Sequence, residues 1–258
     1  MPTDPIFNIP EIDEPLSAYL SNGWVALVTG GSGTHLLAKQ FARHGVGRVP
    51  VLYYTTHERV SDVERAFHDF GWDASGIQVR NLAGEYFDQV LSRELAIARV
   101  RERGLTLAEL ATPVESRVAT RSFELTHRLI GDLAALDGRF RLVVDSVDFL
   151  LDVLPPADVV NLARQIRYRA QTLGGCACLV LRPEIHDRRT GGALEDLADL
   201  VIRVTAEPKS DSAMMALTVE KVRNHPERSR FTRLTVGSDG LSALGPDGGA
   251  EATKGTKS

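Results

Sequence analysis

Apolar positions along the chain follow two alternating patterns, and each predicts its own element. Trp24 to Thr29, Val49 to Thr55, Phe140 to Asp145 and Cys176 to Leu181 are nearly unbroken apolar runs. Such runs suit strands buried on both faces of a sheet. Between them, Thr34 to His44, Val60 to Phe70 and Tyr86 to Leu136 carry helical spacing, the last with a break expected at Pro113. A weaker strand is predicted near Ile77 to Asn81. Pro155, Pro156 and Asp158 open a further helix, which Gly174 and Gly175 stop. A helix over Ala193 to Leu200 and two strands, Ala216 to Val222 and Phe231 to Val236, complete the pattern, the strands as a hairpin at one sheet edge. Alternating strands and helices predict a three-layer α/β fold, a mainly parallel central sheet flanked by helices, with antiparallel C-terminal edge strands.

Composition narrows this picture. The chain has 258 residues, 43% of them hydrophobic and 25% charged, enough to bury a sheet on both faces. One domain over 1–244 is expected; the small, polar, glycine-rich segment 245–258 cannot bury apolar surface and is expected to be disordered. A net charge of -4 gives no overall attraction to nucleic acid or an anionic membrane. No basic stretch leads into an apolar segment at the N-terminus, and no apolar run approaches the roughly 18 residues of a membrane span. These features predict a cytoplasmic protein with no membrane partner. Cys176 and Cys178 alternate in CACLVL and should sit on one strand face as buried free thiols.

The first strand runs into Gly30-Gly31-Ser32-Gly33-Thr34-His35, a glycine loop at a helix start, where backbone N–H groups suit a phosphate. A working phosphate loop reads G-x-x-x-x-G-K-[ST], with the lysine on the β- and γ-phosphates and the hydroxyl on magnesium. Here His35 follows Gly33-Thr34, and Lys39 lies a turn further on, where it reads as a solvated helix residue. His35 could donate to an anion, cap the helix or face solvent. The stretch VALVTGGSG also resembles the opening of short-chain dehydrogenases. No Tyr-x-x-x-Lys pair occurs, however: Gly23, His57, Glu58, Val90 and Thr172 stand four residues after the five tyrosines.

IPEIDEPLSAYLSNGWVALVTGGSGT, LLAKQFARHG, VLYYTTHERVSDVERAFHDFGWD, RLVVDSVDFLL and ALTVEKVRNHPERSRFTRLTVGSDGL, in this order, resemble the KaiC branch of RecA-like ATPases. The resemblance covers most of residues 8–241 and implies a RecA-like fold. It implies nucleotide binding at Gly30, Gly31, Ser32, Gly33, Thr34 and His35, and a water-mediated magnesium site at Asp145 beside Ser146. Of the two adjacent glutamates that position the attacking water in active members, only Glu58 is kept, His57 standing for the other. Lys221 and Arg223 match a Lys-x-Arg element that reaches the neighbouring subunit's nucleotide in hexameric members.

The leading expectation is a non-hydrolysing pseudo-ATPase, a regulatory or assembly subunit in a homo- or hetero-oligomer, with a ring as one form and with ATP or ADP and magnesium, or no cofactor at all. Without the loop lysine, the charge that stabilises the transferring phosphoryl group is missing. Two alternatives stand beside it. One is a slow ATPase in which His35, Lys221 or a neighbour's arginine supplies the cation. The other is a nucleic-acid-binding protein using Arg164, Arg167 and Arg169 or Arg182, Arg188 and Arg189; it is not favoured, because no aromatic residues alternate with the loop arginines.

Overall fold

The computed structural model describes residues 6–20, 23–31, 33–103, 115–207 and 214–244. The segment 245–258, Pro113 and Ser32, on which three of the expectations fall, lie outside the described residues. Among the described residues, nine strands form one sheet in the order β3-β2-β4-β5-β1-β6-β7-β8-β9. β1 (Trp24–Gly30), β2 (Val51–Thr55), β3 (Ile77–Asn81), β4 (Arg141–Asp145), β5 (Cys176–Leu181) and β6 (Leu200–Glu207) pair in parallel, β1 lying between β5 and β6. β7 (Met214–Val222), β8 (Arg230–Gly237) and β9 (Gly240–Ala243) continue the sheet as antiparallel strands.

The unbroken apolar runs are explained by this placement. Every residue of β1, β2 and β4 is buried, and successive side chains enter opposite layers. Ala26, Val28, Tyr53, Val143 and Cys178 join one core with α2 (Thr34–Arg43) and α3 (Val60–Asp69). Val25, Leu27, Tyr54, Val144 and Leu179 join the other, with α5 (Glu115–Ala134), α6 (Val147–Val153), α7 (Pro156–Leu173) and α8 (Arg188–Leu197). α4 (Leu82–Arg103) leads out of β3 and touches β2. Cys176 and Cys178 lie on the first face without a disulfide, Cys178 fully buried and Cys176, at the start of β5, only partly so. Among the described residues, no helix is long and apolar enough to cross a membrane.

Five elements differ from expectation: β6 and α6 form where no element is predicted, the helix before β6 ending at Leu197 rather than Leu200, and α1, α8 and β9 differ as follows. α1 (Pro10–Ser17) is a short helix whose Asp13 carboxylate accepts the backbone N–H groups of Ile6, Phe7 and Asn8 at 2.7–3.2 Å. This hydrogen bonding folds the lead-in segment under the first core. α8 begins at Arg188 rather than Ala193, because the Asp187 side chain caps it by accepting the N–H of Thr190 at 2.9 Å. β9, four residues long, becomes the sheet edge in place of β8.

His44 ends α2, where the helix dipole would favour a cation, yet its pKa is lowered to about 4 by burial and by Arg141, Arg43 and Arg48. Its Nε2 is buried without a hydrogen-bond partner. The unfolded chain therefore binds this proton first as the pH falls. Stability from His44 is complete above pH ~6.5, declines down to about 4 and is flat below; after allowance for partial exposure the loss is on the order of 1–2 kcal/mol. Urea midpoints at pH 7 and pH 4.5 should fall less in His44→Gln than in the parent chain. An equal fall in both would remove His44 from the acid response.

Candidate functional site

The parallel strands β1, β2 and β4 end on the same side of the sheet, where open α/β folds place their ligands. β1 ends at Gly30, and α2 starts at Thr34. To reach β2, three places along, the chain sends α2 across β5 and β4. The first turn of α2 is thereby carried over the carboxyl end of β4, where Asp145 lies level with Thr55 of β2.

The glycine loop is closed in on itself. Thr34 directs both its N–H and its hydroxyl to the carbonyl of Gly31, at 3.4 and 2.9 Å. Gly30 and Gly33 have φ of +124° and +97°, and a Cβ on Gly30 would lie 1.9 Å from the Val204 carbonyl oxygen. A Cβ on Gly33 would lie 2.2 Å from Met215 Sδ. The loop is thus pressed against β6 and β7.

His35 and Lys39 are one turn apart on the same face of α2. His35 Nδ1 lies 2.5 Å from Asp145 Oδ1, while the Tyr53 hydroxyl donates to Asp145 Oδ2 at 2.6 Å. The Asp145 side chain is fully buried. Burial alone would raise its pKa, but the hydrogen bond from His35, its charge and the Tyr53 hydroxyl hold the carboxyl below its ordinary value. The same hydrogen bond raises the His35 pKa against the effect of burial. Burial first, then Asp145, raise the Tyr53 phenol well above its usual value, so it remains a donor.

His57 stands across the site, its ring edge-on to His35 with centroids 5.0 Å apart and its Nε2 3.8 Å from Asp145 Oδ1. Burial lowers its pKa. One ligand atom from each of His35, His57 and Asp145 falls within 4.8 Å of the other two. Lys39, expected on a solvated face, is instead 4% exposed, and its ammonium lies 2.5 Å from Glu58 Oε2 and over the Tyr53 ring. The reason is Glu58, which the turn after β2 brings to the α2 face to pair the buried charge. Ser146 donates its N–H to Thr56 Oγ1, and its own Oγ is buried without a partner.

The sequence-predicted residues Gly30, Gly31, Gly33, Thr34, His35, Glu58, Asp145 and Ser146 thus lie around one sheet end. Lys221 and Arg223 do not join them. Lys221 donates to the carbonyls of Glu195 and Asp196, and Arg223 to those of Asp196, Leu197 and Ala198 and to the Asp199 carboxylate. Both cations close the C-terminus of α8. The helix arginines are engaged as well: Arg164 with Asn161, Arg167 with Asp199, and Arg169 with the carbonyls of Leu133, Ala134 and Leu136. Arg182 pairs with Asp148 at 3.6 Å.

The family model for the KaiC ATPase matches residues 7–247. The chain belongs to the KaiC ATPase family. A solved structure, the KaiC-like protein of the hyperthermophilic archaeon Pyrococcus horikoshii OT3, shares its fold at a TM-score of 0.61 and 20% identity, covering 95% of this chain and 100% of that one. No curated protein matches. In this KaiC-family chain, sequence reasoning missed Tyr53 and Lys39 as parts of the site and read His57 only as standing for a glutamate. The i, i+4 spacing of His35 and Lys39 was the available signal, since it directs both side chains to one place.

Proposed function

We propose that the chain is a non-hydrolysing member of its family, a regulatory or assembly subunit of a cytoplasmic homo- or hetero-oligomer. The observation that carries this reading is the state of Asp145, both of whose carboxylate oxygens take hydrogen bonds from the protein itself. Magnesium in a nucleotide site takes oxygen ligands in near-octahedral geometry and keeps several waters. Two imidazoles face Asp145 instead, a donor set that does not fit a magnesium–nucleotide complex. The Thr34 hydroxyl turns back to Gly31, and Glu58 is held by Lys39 rather than left to orient a water.

Titration calorimetry with ATP or ADP and magnesium, with a phosphate-release assay and light scattering on the same sample, tests the proposal. The expected result is no magnesium-dependent binding, no turnover, and a mass above that of one chain. Micromolar binding with turnover lost in Asp145→Asn would replace this reading with that of a slow ATPase. Salt-dependent DNA binding would favour the nucleic-acid alternative.

A further inference from the structure

We propose that His35, His57 and Asp145 form a binding site for a divalent transition-metal cation of the zinc class. Imidazole nitrogens select such ions over magnesium and calcium, and two histidines with one carboxylate form a recurrent metal-binding set. Donor atoms around an ion with bonds of about 2.0–2.2 Å stand roughly 3–3.5 Å apart. The separations of 2.5 Å from Asp145 Oδ1 to His35 Nδ1 and 3.8 Å to His57 Nε2 bracket that range. The three donor atoms lie within 4.8 Å of one another, so an ion draws the two imidazoles together and His35 back from Asp145; the two histidine side chains, 39% and 35% exposed, leave an outer side open to water or another ligand.

The surroundings orient these donors as outer partners do in metal sites. Tyr53 holds Asp145 Oδ2, leaving Oδ1 toward the imidazoles. Thr56 Oγ1 donates to the carbonyl of Ser146 and accepts the Ser146 N–H, at 3.3 and 2.9 Å. When its proton goes to that carbonyl, this hydroxyl accepts from His57 Nδ1, 3.2 Å away. In that arrangement the proton of His57 sits on Nδ1, and Nε2 presents a lone pair toward Asp145.

The inference goes beyond the loss of hydrolysis and does not depend on it, since the ion is held by side chains alone. The test adds Zn2+ or Co2+ to the chelator-treated full chain without nucleotide. One ion per chain should bind with micromolar or tighter affinity and raise the melting temperature. Co2+ should give ligand-field absorption without the sulfur charge-transfer band that Cys176 would produce. His57→Ala removes a half-exposed side chain and should stay folded by circular dichroism while weakening binding at least roughly tenfold; His35→Ala should do the same. Millimolar Mg2+ should not compete. Absence of saturable binding, unchanged affinity in His57→Ala, or equal competition by Mg2+ would each overturn the proposal.

Discussion

Gly30→Ala is expected to leave little folded protein, while Gly31→Ala, one residue on, is nearly neutral. Gly30 combines a φ of +124°, which side-chain-bearing residues rarely adopt, with a Cβ position 1.9 Å from the Val204 carbonyl oxygen. That oxygen belongs to the backbone of β6, paired in register with β1, and cannot move aside as a side-chain tip could. Strain of this kind costs more than about 4 kcal/mol, a large part of the stability of an ordinary domain. A Cβ on Gly31 meets nothing within 4 Å, so its replacement should change stability by less than about 1 kcal/mol. Urea midpoints of the two variants decide the matter. A Gly30→Ala chain with the parental midpoint would mean that β1 and β6 do not approach this closely.

Asp145→Ala is expected to be the second large effect, and its sign is informative. A carboxylate kept only to hold an ion is a burden on the fold, so removing it usually stabilises a protein. Asp145 instead satisfies the buried Tyr53 hydroxyl and pairs with His35. Each orphaned buried polar group costs about 1–3 kcal/mol, and with the cavity left behind a loss of roughly 3 kcal/mol is expected. Tyr53→Phe in the same background should recover part of it by removing the stranded hydroxyl. A rise in melting temperature for Asp145→Ala would show instead that the carboxylate is strained in the free chain.

β1, β2, β4 and β5 were legible because a parallel sheet covered on both faces requires unbroken apolar runs, as in VALVT and RLVVD; β6 was not, because its apolar run is short and follows α8 after only two residues. α1 was not, since it is short and contains Pro10 and Pro15, and what secures it is the reach of Asp13 back to residues that precede it. His35 and Asp145 each stood out separately in the sequence, one by replacing a lysine and the other by ending an apolar strand. Their contact spans 110 positions and follows only from the passage of α2 over β4. Lys39 misled because helical spacing tells which way a side chain points but not whether a carboxylate awaits it. Glu58, 19 residues on, comes from a separate turn.

If the chain is non-hydrolysing, as proposed, the geometry of the glycine loop makes chain length as much a barrier to hydrolysis as side-chain identity. Restoring a lysine by His35→Lys would set an ammonium against Asp145 and make another internal ion pair, with Thr34 still folded onto Gly31. A phosphate cradle calls for added residues between β1 and α2. The entropy of lengthening a short loop is small, about 0.6 kcal/mol per doubling; the resistance comes from Val204 and Met215, which press on Gly30 and Gly33. Widening this loop is therefore a matter of an insertion accompanied by changes on β6 and β7, a coordinated route that no single base change can follow.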